Sequence, residues 1–264
     1  MKYFFFIILF IIKMDYLFAN DLQFYYIGKK NWVDISSLCN LDNKIFSIEK
    51  GNILFSTNLE NGIKIQHGSL NLIDKLEIYC VNNKIFAINI HGDLYLIDSQ
   101  TAKFKELKKQ FLFGALKITS STKSLFMLDT LGNIYKIDLN NFRKQEIKTS
   151  RTFSNALYFF VHPLEDKMII LDLFGIIYMI SQENTVKEIK IDHANFLLTI
   201  EHALWMNDYL YIIDITGSLY NVDVKSRKWK LLGKLGQFKR IKYFFTDNHN
   251  LYFINEDGDL FYLK

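Results

Sequence analysis

The sequence predicts an all-β ring of six repeated four-stranded sheets, and three observations carry that prediction. A motif of the form Asp/Asn-x-x-Gly between two apolar runs returns along the chain. It reads FAINIHGDLYLID (86–98), MLDTLGNIYKID (127–138), ILDLFGIIYMIS (170–181), IIDITGSLYNVD (212–223) and FINEDGDLFYLK (253–264), after a degraded first copy, FSIEKGNILFST (46–57). Its glycines, Gly51, Gly92, Gly132, Gly175, Gly217 and Gly258, are spaced 41, 40, 43, 42 and 41 residues apart, a period that belongs to stacked supersecondary units. Each period also divides into four short strand-like runs separated by turn signals. Six units of four antiparallel strands make a six-bladed β-propeller, whereas a β-sandwich needs no strict period.

Taken in order, the chain begins with Lys2 and an apolar run, residues 3–12, which Lys13 and Asp15 interrupt before Leu17-Phe18-Ala19 ends on a small residue. That is the pattern of a cleaved export signal over residues 1–19, and the run is shorter than the roughly 20 apolar residues of a spanning helix. Residues 20–264 are therefore expected to be a single propeller domain with no transmembrane span in the mature protein, placed in a periplasm, with secretion as the second choice. No cysteine sits at the cleavage point, which argues against a lipid anchor, and no Asn-x-Ser/Thr sequon occurs. Half the residues are hydrophobic and 16% are aromatic, enough for a large core of half-buried strands. The leader carries Lys2, Lys13 and Asp15, so its removal changes the net charge only from +4 to +3. That is too mild to indicate a nucleic-acid partner.

Residues 21–35, DLQFYYIGKKNWVDI, have strand character but no partner of their own. The last repeat supplies only three strands, near 240–246, 250–255 and 259–264. The early segment is therefore expected to complete the last blade, through either residues 22–27 or residues 32–35, so that both termini close the ring. The second repeat illustrates the unit, with strands at 76–81, 84–89, 93–98 and 103–107. Asn82-Asn83 suits a two-residue hairpin because both residues tolerate left-handed backbone. Asn89-Ile-His-Gly92 and Asp98-Ser-Gln-Thr101 are turns in which a leading Asn or Asp caps the backbone. The fourth strands are rich in lysine (KFKELKK, FRKQEIK, VKEIK, SRKWK), as exposed blade edges should be to resist edge-to-edge pairing. Cys39 and Cys80 fall on the innermost strands of neighbouring repeats, six and five residues before Ile45 and Ile85. A one-residue offset turns side chains to opposite faces of a strand, so the pair reads as two buried thiols.

The pattern [DN]-x-x-G-x-[LI]-[YF]-x-[IV]-D followed by a Lys-bearing strand resembles the repeats of quinoprotein-like and related bacterial periplasmic propellers, over residues 21–264. Quinoprotein dehydrogenase blades carry a docking tryptophan after Thr-Gly near the third turn. The matching places here hold Thr101-Ala102, Asn141-Phe142 and Ser226-Arg227, with Trp229 the one nearby tryptophan, so no quinone or other cofactor is expected. The resemblance that remains is to assembly-factor propellers, such as the scaffold subunit of outer-membrane protein insertion or accessory propellers of respiratory enzymes. It implies a protein partner in the periplasm or envelope.

The chain contains no dinucleotide, P-loop, nucleophile-elbow or zinc-protease motif. The acids at the hairpin turns follow the repeat, so turn-making accounts for them. His67 and His193 are expected in connections between blades, His91 in a turn on the same face, His162 and His249 in turns on the opposite face, and His202 on an innermost strand beside the channel. The reading is a non-enzymatic scaffold or accessory factor. Its partner surface is either the flat face carrying His91, Phe174 and Asp257 or the outer edge around Trp229. The alternative is a metal-dependent lactonase- or lyase-like propeller, which requires convergent Asp, Asn, Glu or His side chains at the channel mouth.

Overall fold

The structure is a computed structural model and describes residues 22, 24–28, 32, 34–70, 75–162, 165, 167–191, 194–234, 236–247 and 249–263. Residues 1–19, where an export signal is expected, and His193 lie outside them. Blade 1 is β2 (Ser37–Leu41), β3 (Lys44–Glu49), β4 (Ile53–Asn58) and β5 (Lys64–Ser69); blade 2 is β6 (Leu76–Val81), β7 (Lys84–Asn89), β8 (Leu94–Ile97) and β9 (Phe104–Lys108). Blade 3 is β10 (Ala115–Ser120), β11 (Leu125–Asp129), β12 (Ile134–Asp138) and β13 (Arg143–Ile147); blade 4 is β14 (Ala156–Val161), β15 (Met168–Asp172), β16 (Ile177–Ile180) and β17 (Val186–Ile189). Blade 5 is β18 (Ile200–Met206), β19 (Tyr209–Asp214), β20 (Leu219–Asp223) and β21 (Lys228–Gly233). Blade 6 is β22 (Ile241–Thr246), β23 (Leu251–Asn255) and β24 (Leu260–Leu263), with β1 (Phe24–Gly28) as its outermost strand.

Ring closure therefore uses the first of the two segments left open by the sequence. β1 pairs antiparallel with β24, Phe24 opposite Leu263. The second segment does different work. Trp32 and Ile35 are buried with Ile45, Leu59, Tyr252, Ile254 and Leu260 between the last blade and the first. The other blade-to-blade junctions are filled in the same way, because the second strands of blades 2 to 6 are largely apolar on both faces and buried; β7 and β15 are examples. Such strands read as continuous apolar runs because each sheet is covered on both sides.

The turn motif is more tightly built than the sequence indicated. Asp172 Oδ1 accepts the backbone N–H groups of Phe174 and Ile176 at 2.9 Å, while its Oδ2 accepts the Tyr178 hydroxyl at 3.2 Å. Asp129 with Tyr135, and Asp214 with Tyr220, repeat the arrangement at 3.2 and 3.1 Å. Burial alone would raise the Asp129 carboxyl, but hydrogen bonds from Asn133, Tyr135 and Leu131 outweigh it and hold the group below the ordinary carboxylate value. A depressed folded-state pKa stabilises the fold above the unfolded value, about 4, and that contribution disappears as pH falls through the folded value. The urea midpoint of Asp129→Asn should accordingly fall less between neutral pH and about pH 3 than that of the wild type.

Glycine is required in these turns for two reasons. Gly132 has φ +85, and a Cβ there would stand 2.2 Å from the backbone nitrogen of Phe153. The chain that leaves each blade crosses the turn at that point, and Phe153 N–H donates to the Gly132 carbonyl at 2.9 Å. Gly132→Ala combines a left-handed backbone penalty with a backbone clash, and about 3 kcal/mol of lost stability is expected in urea denaturation.

One sequence-based expectation is overturned. Cys39 and Cys80 form a disulfide with Cα atoms 5.6 Å apart. The offset is real: Leu41 and Val81 hold the same place before the first hairpin, so Cys39 matches Tyr79 rather than Cys80. Neighbouring blades, however, stack face to face. Cys39 lies on the face of blade 1 that meets blade 2, and Cys80 on the face of blade 2 that meets blade 1, both packed in the cluster between them. Opposite strand faces are the condition for meeting in this architecture.

Candidate functional site

Turns between second and third strands and connections between blades share one end of the ring, here called the turn face. They form a belt of backbone hydrogen bonds. Leu112 N–H donates to Gly92 O and Thr130 N–H to Gly114 O; Phe153 N–H donates to Gly132 O and Leu173 N–H to Asn155 O. Ile215 N–H donates to Thr199 O, Phe238 N–H to Gly217 O and Trp32 N–H to Gly258 O. Each connection is pinned inward by a buried apolar residue, such as Leu70, Leu112, Phe153, Leu197, Phe238 or Trp32. The belt is consequently a rigid platform for whatever side chains point outward.

Those side chains are unevenly distributed. From blade 2 to blade 5 the outward positions are Ile90, Phe113, Leu131, Leu173, Phe174, Leu198 and Ile215, each 58–73% exposed. In blades 6 and 1 the equivalent turns carry Glu256-Asp257 and Lys50 instead. A run of exposed apolar side chains on one face marks an interaction surface more strongly than scattered ones do. Around this arc Lys75, Lys108, Lys109, Lys190, Lys234 and Lys239 are exposed. Several acids on the same face are already engaged. Asp93 is drawn below the usual carboxylate range, first by the Gln110 backbone N–H and then by the Asn89 amide. Glu256 and Asp257 pair with Arg240 at 3.3 and 2.8 Å.

The four residues singled out in the sequence are thus placed as follows. His91 and Phe174 stand exposed in equivalent turns of blades 2 and 4, inside the arc. Asp257 occupies the equivalent turn of blade 6, beyond the arc, in its ion pair with Arg240. Trp229 lies on the circumference in β21, 39% exposed, with its ring against Phe196 and Tyr220 at 5.2 and 5.8 Å. The sequence reading missed Phe113 and Leu198, which sit beside buried Leu112 and Leu197. His67, expected in a connection, belongs to β5, and its Nε2 is 2.7 Å from Ser56 Oγ. His202 is held by the Ile241 carbonyl at 2.9 Å.

The channel mouth at the opposite end is a cavity of about 390 Å³. Its walls are aromatic (Tyr79, Phe160, Trp205, Phe244, Phe245) and hydroxylic (Thr119 to Thr122, with two serines), and neither an acid nor a histidine lines it. Among the described residues no group of three or more His, Cys, Asp or Glu is arranged to hold a metal ion. No helix among them is long and apolar enough to cross a membrane.

No protein-family model and no curated protein matches the sequence. Solved structures do match. Virginiamycin B lyase from Staphylococcus aureus has a TM-score of 0.58 at 14% identity, covering 92% of this chain and 99% of that one. YCF48 from Cyanidioschyzon merolae has a TM-score of 0.56 at 9% identity, covering 91% and 98%. YCF48 bound to D1 peptide has a TM-score of 0.59 at 10% identity, covering 87% and 78%. The chain is a six-bladed β-propeller, and its β-propeller neighbours include a lyase and a protein with a bound peptide.

Proposed function

We propose that this is an exported, non-enzymatic propeller that acts as a scaffold or accessory factor by binding another protein through the turn face of blades 2 to 5. The observation that carries this reading is the apolar arc on a hydrogen-bonded belt. Apolar and aromatic side chains in a polar rim are what protein interfaces bury at their centres. The Cys39–Cys80 disulfide supports an oxidising compartment such as a periplasm, in keeping with the leader. A neighbour with a bound peptide supports the use of this architecture for binding. The lyase neighbour supports the fold equally, but of the convergent Asp, Asn, Glu or His side chains that the enzyme reading requires, Asn40 alone lines the described channel mouth.

The test is Leu131→Asp combined with Phe174→Asp. Both positions are exposed, so stability should stay within about 0.5 kcal/mol of the wild type. Affinity capture from the envelope of the native host should recover a stoichiometric protein partner with the wild type and lose it with the variant. Undiminished recovery with the variant would move the site elsewhere. Recovery of the wild type as a lone monomer would end the scaffold reading.

A further inference from the structure

A hollow opens in the arc at the end of it that carries the most lysine. It lies between blades 2 and 3 and measures about 270 Å³, with Ile88 and Leu112 buried in its lining and Ile90 and Leu116 standing exposed beside them. This is below the roughly 300–1,000 Å³ of small-molecule pockets and suits one bulky side chain. Lys75 and Lys117 are part of the lining. The one acid in the hollow, Glu77, accepts the Tyr79 hydroxyl at 2.8 Å. Burial, and then the charge of Glu77, keep that hydroxyl protonated well above the usual tyrosine range. Asp93, at the next turn, is taken up by Gln110 and Asn89. Ile88 and Leu112 give the hollow an apolar floor, and at its edge Lys75 and Lys117, with exposed Lys108 and Lys109 beside them, outnumber the carboxylates Glu77 and Asp93 four to two. A flat bilayer has no side chain to fit such a depression. A protein segment does, and buried anchors in fitted pockets dominate interface energetics.

We propose that this hollow is the anchor pocket of the docking face, seating a large aliphatic or aromatic side chain of a protein segment that carries Asp or Glu beside the anchor. The proposal rests on the protein-binding reading above and names the partner's chemistry. The test uses the folded mature protein as bait for a phage-displayed library of short random linear peptides. The expected enrichment is a bulky apolar residue flanked by acids. Synthetic peptides of that sequence should bind about tenfold or more weakly to Ile90→Asp/Leu116→Asp, and to Lys75→Glu/Lys117→Glu, the latter preferring base-flanked peptides. Raised salt should weaken the wild-type complex and, by screening the new repulsion, strengthen what binding of the acid-flanked peptide the lysine-reversed variant retains. Enrichment of neutral or basic peptides, binding that ignores the pocket variants, or no enrichment at all overturns the proposal. In the first two cases the docking-face reading survives if Leu131→Asp/Phe174→Asp still abolishes capture of the natural partner. Binding to phosphatidylglycerol vesicles that Ile90→Asp/Leu116→Asp abolishes would likewise overturn it, and would make the arc a membrane surface.

Discussion

Trp32→Ala should cost about 4 kcal/mol of folding stability, equivalent to a fall of roughly 8–16 °C in melting temperature for a protein of this size. Trp32 is 2% exposed. It fills the junction between the last and first blades against Ile45, Tyr252, Ile254 and Leu260, and its backbone N–H, which the substitution leaves in place, donates to the Gly258 carbonyl at 3.2 Å. At the other junctions the corresponding plug lies on an unbroken connection between two blades, as Phe153 does between blades 3 and 4. Here the connection begins with β1, whose place in blade 6 depends on pairing with β24. Truncating the plug should weaken core packing and the hold on β1 together. Urea denaturation measures the loss. Hydrogen exchange should show β1 and β24 opening ahead of the remaining strands. A loss below about 1 kcal/mol would mean that strand pairing alone closes the ring, since a fully buried tryptophan ordinarily contributes several times that.

The ring itself was legible because turn chemistry recurs with the period. A glycine at φ near +80 and a leading Asp or Asn are local requirements, and local requirements are written into sequence. The tyrosine lock was also written there, six residues after the acid. Asp129, Asp172 and Asp214 are followed by Tyr135, Tyr178 and Tyr220; Asn255 is followed by Phe261, and Asn89 by Tyr95, whose hydroxyl turns to Asp93 instead. The apolar arc was legible in part. The variable turn position reads His91, Leu131, Phe174, Thr216 and Asp257, and the residues just before it add Ile90, Leu173 and Ile215. The connections were opaque. Leu112-Phe113 is an adjacent apolar pair in a turn and Leu197-Leu198 one in a single 3-10 turn (Asn195–Leu198), both too short for a period to decide which member turns inward. The hollow beside Leu116 arises from the meeting of two blades and has no signature in either one. The disulfide was misread for a related reason. Strand faces were judged within a blade, while the bond depends on how two blades confront each other.

Replacing both cysteines, Cys39→Ser with Cys80→Ser, should lower stability by about 4 kcal/mol in the chain-entropy account of a cross-link closing a loop of this size. The two residues are 41 apart in sequence. Wild type unfolded in the presence of dithiothreitol should fall to the same level, and native unreduced protein should resist alkylation by iodoacetamide. A double variant within about 0.5 kcal/mol of the oxidised wild type would refute the bond's role. The location of the bond explains why this ring needs it. Blade 1 carries the degraded copy of the motif. Its turn lacks the Asp and Tyr of the lock, with Glu49 and Phe55 in their places, and Ser47, Ser56 and Thr57 occupy buried positions in β3 and β4. A blade with polar groups in its core gains less from apolar burial than its neighbours do. Trp32 fastens one flank of that blade, to blade 6, and the disulfide fastens the other, to blade 2. In the cysteine-free variant β3 and β4 should therefore be the first strands to exchange their amide hydrogens, ahead of β11 and β15 in the intact repeats, and Trp32→Ala added to it should cost more than the two losses summed.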